Sequence, residues 1–153
     1  MKLIDILPET LLIAELKGTT KDAVLRELAE RLAANYPEID AARLLDVLWE
    51  RERLGSTAIG DGIAIPHGKL SSVKGVIAAF GRHTAGVNFD SLDGKPTRLI
   101  FLLVAPAESV GLHLKALARV SRLLKEVDFR QRLLTAPDES SLYRAMREED
   151  EKY

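Results

Sequence analysis

The segment Arg98-Leu99-Ile100-Phe101-Leu102-Leu103-Val104-Ala105 decides the fold of this chain. Its centre is apolar at every position, whereas a strand with one solvated face alternates apolar and polar residues. We therefore predict a strand that is buried on both faces of a sheet. Because helices must cover both faces of such a sheet, we expect a three-layer α/β/α sandwich.

Two other apolar runs predict strands, at residues 11–16 and 75–81. Between these runs, apolar residues at helical spacing predict two helices. The first helix is expected to be capped by Thr19 or Thr20 and the second by Asp40, because short polar side chains accept bonds from free N–H groups at helix starts.

Three helices are predicted after residue 106. One spans residues 112–125, the next opens at Asp128 with a capping-box pattern, and the last opens at Pro137-Asp138. The acidic tail, residues 148–151, is expected to be solvated and frayed. The resulting order is β-α-α-β-β-β-α-α-α, and because strands and helices do not alternate regularly, a mixed sheet is expected.

Length and composition predict a single globular domain over residues 1–153. The formal net charge of −1 gives no basic surface for nucleic acid. The absence of cysteine excludes disulfides, thiolate metal sites and cysteine nucleophiles. No run approaches the ~18 apolar residues of a membrane span, and the N-terminus makes a poor signal peptide, so we expect no membrane insertion and a cytoplasmic location.

The most unusual segment runs from Ser56 to Lys69 and reads Ser-Thr-Ala-Ile-Gly-Asp-Gly-Ile-Ala-Ile-Pro-His-Gly-Lys. It fails the P-loop pattern, since five residues instead of four precede its Gly-Lys and leucine follows. It fails the dinucleotide pattern too, because isoleucine takes the third glycine position. Pro66 fixes the backbone before His67, and Gly68 frees it afterwards. We interpret the segment as a rigid support for one imidazole.

His67 is a candidate nucleophile. A neutral imidazole has a usual pKa of ~6.5, so most of it is uncharged at pH 7. It can accept a phosphoryl group on nitrogen and release it again, as histidine does in covalent catalysis. The residues alone leave a second interpretation open, in which His67 is an ordinary surface histidine.

Two further residues suit such chemistry, although each also has a structural explanation. Arg51 complements the dipole of a helix end, and a guanidinium also stabilises phosphoryl oxygens. His113 is expected at a helix start beyond the central strand, where N–H groups favour anions, or it packs at the edge of the core. His83 is interpreted as an exposed loop residue. Three histidines so far apart in the sequence are weak evidence for a metal site, and no cofactor is expected.

Together with its flanks, the unusual segment resembles the active-site signature of phosphotransferase-system IIA domains of the fructose/mannitol family. The resemblance is carried by Arg51-Glu52-Arg53-Leu54-Gly55-Ser56-Thr57 and Ile59-Gly60-Asp61-Gly62-Ile63-Ala64-Ile65-Pro66-His67-Gly68-Lys69, and it extends to residues 102–106 and 113–117. Within the family the chain is most similar to the stand-alone nitrogen-regulatory IIA proteins. It departs from them at Ala58 and Asp61, where glycine and asparagine are common, and the charge of Asp61 could alter carrier docking or the pKa of His67.

The resemblance implies a phosphoryl-carrier function. His67 would be the phosphorylated residue, with Arg51 and His113 as its active-site partners. Hydroxyl or backbone N–H groups of Ser56, Thr57 and Gly68 would hold the phosphoryl oxygens. The donor would be a histidine-phosphorylated carrier protein of the HPr type, supplied from phosphoenolpyruvate through an enzyme I.

The output stays open at this point. One hypothesis is a regulatory contact with target proteins that the phosphate gates; the other is transfer to a sugar-specific IIB domain of the fructose/mannitol type. A phosphatase with a histidine nucleophile is a third, weaker hypothesis. The oligomeric state is also open, and a homodimer is compatible with the sequence.

Overall fold

Six strands form one mixed sheet in the computed structural model, which describes residues 1–153. The strand order is β1-β5-β6-β3-β2, and β4 pairs with β6 as well. The central strand β6 is antiparallel to β5 and parallel to both β3 and β4. The expected mixed sheet is therefore confirmed. The strands are β1 Leu12–Ile13, β2 Ala58–Gly60, β3 Ile63–Ala64, β4 His67–Leu70, β5 Ile77–Val87 and β6 Thr97–Pro106.

The central strand β6 is buried without a break from Leu99 to Pro106. Both of its faces are therefore covered, as its uniformly apolar sequence predicts. Helices α3 and α4 pack against β6, whereas α1 packs against β5 and α2 against β4. These helices are α1 Lys21–Asn35, α2 Ala41–Glu52, α3 Val110–Leu124 and α4 Val127–Thr135, and α5 Glu139–Glu151 completes the fold.

Local sequence sets the start of three helices. The side chains of Thr20, Asp40 and Asp138 each accept a backbone N–H from the first turn of α1, α2 and α5. These caps confirm the predicted helix starts. None of the five helices is both long and apolar enough to cross a lipid bilayer.

The predicted start of α4 is wrong. Helix α4 begins at Val127, and Asp128 lies inside its first turn instead of capping it. The reason is the short connection between α3 and α4. Arg130 of α4 donates a hydrogen bond to the carbonyl of Leu124 at 2.6 Å, which ties the new helix directly to the end of the old one.

The acidic tail is not frayed, contrary to expectation. Helix α5 continues to Glu151, and Asp150 is only 1% exposed. The carboxylate of Asp150 accepts the backbone N–H groups of Leu3 and Ile4 at 3.0 and 3.2 Å, and it forms an ion pair with Arg119 of α3. The opposite end of the chain thus supplies the partners that order the tail.

The interpretation of His83 as an exposed loop residue is also wrong. Strand β5 continues past the predicted residue 81 to Val87, and His83 is buried within it. The Nε2 atom of His83 lies 2.8 Å from the carbonyl oxygen of Gly18. Its neighbour Arg82 is buried too, and it donates hydrogen bonds to the carbonyls of Ala14, Leu133 and Ala136.

Candidate functional site

Strands β3 and β4 lie end to end along β6 and are separated only by Ile65 and Pro66. Ile63 of β3 pairs with Leu99 of β6, and His67 of β4 pairs with Leu103 of β6. Pro66 has no N–H to donate, yet its carbonyl still accepts the Leu103 N–H at 3.0 Å. His67 is therefore the first residue of a strand whose path is already fixed.

The glycines before His67 shape a tight backbone turn. Gly60, Asp61 and Gly62 have φ values of 104°, 56° and 76°, which form the tight turn between β2 and β3. Aspartate is among the few non-glycine residues that tolerate this left-handed region. Asp61 is exposed, and its N–H bonds the carboxylate of Asp93 at 3.2 Å.

Gly68 brings β4 against helix α2. A Cβ atom at this position would lie 2.5 Å from Cγ1 of Val47, a distance that no real contact allows. The resulting close approach places His67 beside Arg51, one residue before the end of α2. The Nε–H of Arg51 donates to His67 Nε2 at 3.3 Å, and Nη1 of Arg51 donates to the carbonyl of Gly55 at 2.8 Å.

The hydrogen bonds of His67 select its tautomer. Its Nδ1 lies 2.8 Å from the carbonyl oxygen of Ile65, which can only accept, so Nδ1 carries the proton. Nε2 then holds the lone pair, which agrees with the donated bond from Arg51. The result is a neutral imidazole whose nucleophilic nitrogen is Nε2.

His113 completes a histidine pair. It lies in the first turn of α3, which follows the end of β6, and its ring centroid is 5.0 Å from that of His67 with the planes 60° apart. His113 is buried, and its Nδ1 has no hydrogen-bond partner. The expected approach of His113, Arg51 and His67 is thus observed.

Both histidines are held in the neutral form. Burial lowers the pKa of His67 below 6.5 and is the largest effect. The positive charges of Arg51 and Lys69 lower this pKa further. The bond to the Ile65 carbonyl and the charge of Glu52 oppose this shift. Burial also lowers the pKa of His113, with smaller contributions from His67 and Lys69. At neutral pH, His67 is therefore available as a nucleophile.

A polar cleft of about 430 Å³ opens over this pair. Sequence reasoning missed two of its cations, Arg43 and Lys69. A signal for each exists, since Arg43 lies two helical turns before Arg51, and Lys69 lies two residues after His67 on the same strand. The cleft is lined by Arg43, Val47, Glu50, Arg51, Leu54, His67, Gly68, Lys69 and His113.

Two predicted phosphate ligands do not line this cleft. The Ser56 hydroxyl donates to the carbonyl of Phe89 at 2.6 Å. The buried Thr57 hydroxyl donates to the carboxylate of Glu52 at 2.5 Å. Both hydroxyl protons therefore bind other groups.

No group of three or more His, Asp or Glu residues is arranged to hold a metal ion.

Replacement of Arg51 by glutamine is expected to raise the pKa of His67, because a nearby guanidinium disfavours a second positive charge. The pKa is measured by following the His67 ring signals in an NMR titration. Arg53→Gln is the matched control, since Arg53 directly follows the last residue of α2, is exposed and is not among the groups that shift this pKa. An equal pKa in the Arg51 variant and the parent would contradict the assigned geometry.

Known proteins resemble the chain over nearly its whole length. The family described as "Phosphoenolpyruvate-dependent sugar phosphotransferase system, EIIA 2" matches residues 5–149. A nitrogen regulatory protein of Bradyrhizobium diazoefficiens is 38% identical over 94% of this chain and 93% of its own length. The fructose-specific EIIABC component of Bacillus subtilis is 34% identical over 98% of this chain, which corresponds to 24% of that larger protein.

A solved structure shares the same fold. The nitrogen regulatory protein IIA-Ntr from Neisseria meningitidis superposes with a TM-score of 0.85 and 31% identity, covering 93% of this chain and 97% of that one. The shared fold, the length of the match and the cleft that contains His67, His113 and Arg51 are all consistent with one family. This chain therefore belongs to the EIIA 2 family of the phosphoenolpyruvate-dependent sugar phosphotransferase system.

Proposed function

We propose that the chain is a cytoplasmic phosphoryl carrier whose single domain, residues 1–153, accepts a phosphoryl group on His67 from an HPr-type carrier protein. The observation that supports this most directly is the tautomer of His67. Its Nδ1–H is held by the Ile65 carbonyl, and its Nε2 lies free of a proton beside the Arg51 guanidinium. Such an imidazole is uncharged, and its ring is held in one orientation by these two hydrogen bonds.

The transfer would exchange one nitrogen–phosphorus bond for another. The bond on the carrier's histidine breaks as a bond forms between phosphorus and Nε2 of His67. Positive charge that develops on the His67 ring is stabilised by the Ile65 carbonyl, which already accepts Nδ1–H at 2.8 Å. The enzymatic character of the chain would consist of this transient phosphohistidine.

The cations of the cleft would hold the phosphoryl oxygens. Arg51 has further N–H groups beyond those bound to His67 and Gly55, and a guanidinium suits the spread charge of a phosphoryl group in transfer. His113 would share that charge from 5.0 Å away. Gly68 lines the cleft and stays in the proposed site, whereas Ser56 and Thr57 would act only indirectly, through their present bonds.

The proposed function is tested by incubation with phosphoenolpyruvate, enzyme I and an HPr-type carrier. We expect about one phosphoryl group per chain, stable in base and lost in acid, because phosphohistidine is acid-labile. Intact-mass spectrometry measures the stoichiometry. Omission of the carrier is the control, and it should prevent labelling. Rapid release of free phosphate, instead of return to the carrier, would favour a phosphatase.

We also propose a regulatory output. The Bradyrhizobium and Neisseria relatives, which match over nearly their whole length, both carry the name of nitrogen regulatory proteins. Phosphorylation would change the charge of the cleft, and a target protein would recognise one of the two charge states. The alternative output is transfer to a fructose/mannitol-type IIB, which the match to the fructose-specific Bacillus protein supports.

Partner capture separates these outputs. Proteins bound by His67→Ala are compared with those bound by His67→Asp, which carries a negative charge at the same position. Different partners would support the regulatory output. Identical partners, together with efficient transfer from the phosphorylated parent to a sugar-specific IIB domain, would support the transport output.

A further inference from the structure

A buried ion pair lies one residue away from Arg51. Glu52 ends helix α2, and its side chain has no exposed surface. Its Oε1 lies 2.9 Å from the ammonium group of Lys21, the first residue of α1. That ammonium group also lies 4.8 Å from the centroid of the Phe89 ring, in cation–π contact. The pair is therefore closed off from water on several sides.

Thr57 satisfies the rest of the Glu52 carboxylate. Its backbone N–H donates to Oε1 at 3.0 Å, and its hydroxyl donates to Oε2 at 2.5 Å. Thr57 itself is 4% exposed. Both oxygens of a fully buried carboxylate are thus bound, as a buried charge requires. A buried ion pair often adds little net stability, so the geometry that this pair holds is the more informative property.

The contacts of Glu52 fix the conformation of the loop between α2 and β2. Glu52 accepts the N–H of Gly55 at its backbone carbonyl, at 3.0 Å, and holds Thr57 with its side chain. The Gly55 carbonyl in turn accepts Nη1 of Arg51 at 2.8 Å, while Nε of Arg51 reaches His67. The orientation of the guanidinium thus depends on a loop that Glu52 holds at two points.

We propose that Glu52 and Thr57 are positioning residues, whose mutual bonds fix the Gly55 carbonyl and thereby hold the Arg51 guanidinium against His67. Lys21 neutralises the buried charge that this arrangement needs. The inference rests on the proposed phosphoryl-carrier function and deepens it. It also gives Thr57 a different role from direct contact with a phosphoryl group.

Kinetics of transfer from the phosphorylated carrier test this role. Thr57→Val keeps the shape and the backbone N–H but removes the hydroxyl, so it should lower the maximal rate by about 10- to 100-fold, the effect of a small misplacement of a reacting group. The carrier concentration at half-saturation should not change, because the cleft surface is intact. Thr57→Ser, which restores a hydroxyl, should recover most of the rate.

Glu52→Gln separates positioning from direct contact. The amide removes the charge while leaving the Thr57 hydroxyl in place, and we expect a loss of maximal rate similar to that of Thr57→Val. The double variant should be no slower than the slower single variant, because both changes weaken the same contact between Glu52 and Thr57. Asp46→Asn, which removes an exposed charge from the same helix, is the control and should transfer at the parental rate.

A second measurement needs no phosphorylation. Hydrogen exchange of the Arg51 Nε–H, followed by NMR in the unphosphorylated protein, should become faster in Thr57→Val and Glu52→Gln and stay slow in Thr57→Ser. If labelling of the parent itself failed, the proposed function would be wrong, yet the exchange rates would still decide the positioning role. Unchanged exchange in Thr57→Val would overturn that role, as would full activity of Glu52→Gln beside an inactive Thr57→Val.

Discussion

Replacement of His67 by glutamine is expected to abolish acid-labile phosphorylation completely, the largest functional effect that the structure predicts. Glutamine retains a polar group of comparable length but has no nucleophilic nitrogen. The hydrogen bonds of His67 leave Nε2 as the only ring nitrogen without a proton, and its lone pair accepts only the Arg51 Nε–H, so no second atom of this residue can take its place. Phosphoryl incorporation is measured by intact-mass spectrometry after incubation with the carrier system.

His113→Gln is the matched comparison, because His113 lies 5.0 Å from His67 and is buried in the same site. This variant should still become phosphorylated, at a rate lower by about 10²-fold, the usual effect of removing one group that stabilises developing charge. Full labelling of the His67 variant would move the phosphorylation site elsewhere. Complete loss of labelling in His113→Gln, together with full labelling of His67→Gln, would exchange the two roles.

Replacement of Asp150 by asparagine is expected to lower the free energy of unfolding by about 3–5 kcal/mol, the usual cost of breaking one side of a buried ion pair. The Asp150 carboxylate is 1% exposed, and it binds the Arg119 guanidinium together with the N–H groups of Leu3 and Ile4. An amide cannot accept all of these bonds. Urea unfolding followed by circular dichroism measures the change.

Glu148→Gln provides the control for this prediction. Glu148 lies two residues earlier on α5 and pairs with Arg132 at 2.6 Å, but about half of each side chain is exposed to solvent. Water and salt screen such pairs, so the free energy of unfolding should hardly change. If the two variants were equally stable, α5 would not be anchored through Asp150.

Much of the secondary structure could be predicted because its causes are local. The uniform apolar character of residues 99–105 requires a strand that is covered on both faces, and β6 is that strand. Thr20, Asp40 and Asp138 cap helices with side chains that reach only two or three residues ahead. Such interactions depend on neighbours in the sequence, so a pattern is sufficient to reveal them.

The candidate site was predictable in part. The rigid context of His67 marked it as a candidate, the residues alone suggested Arg51 and His113 beside it, and the family signature joined the three into one proposed site. The roles of Ser56 and Thr57 could not be read from the signature, because residue type does not show which partner a hydroxyl binds. Both residues are close in sequence to residues that line the cleft. Their hydroxyls nevertheless donate to the Phe89 carbonyl and the Glu52 carboxylate.

The sequence by itself determined the class of the fold and the starts of three helices, and it singled out His67 as the candidate phosphoryl acceptor. Only the tertiary structure decided which charges are buried and what they bind. The Asp150 carboxylate accepts the N–H of Leu3, which lies 147 residues away in the sequence. The Thr57 hydroxyl donates to Glu52 only because α2 and the loop after it are packed together. A buried charge is tolerated when distant groups converge on it, and a linear pattern of residues does not record that convergence.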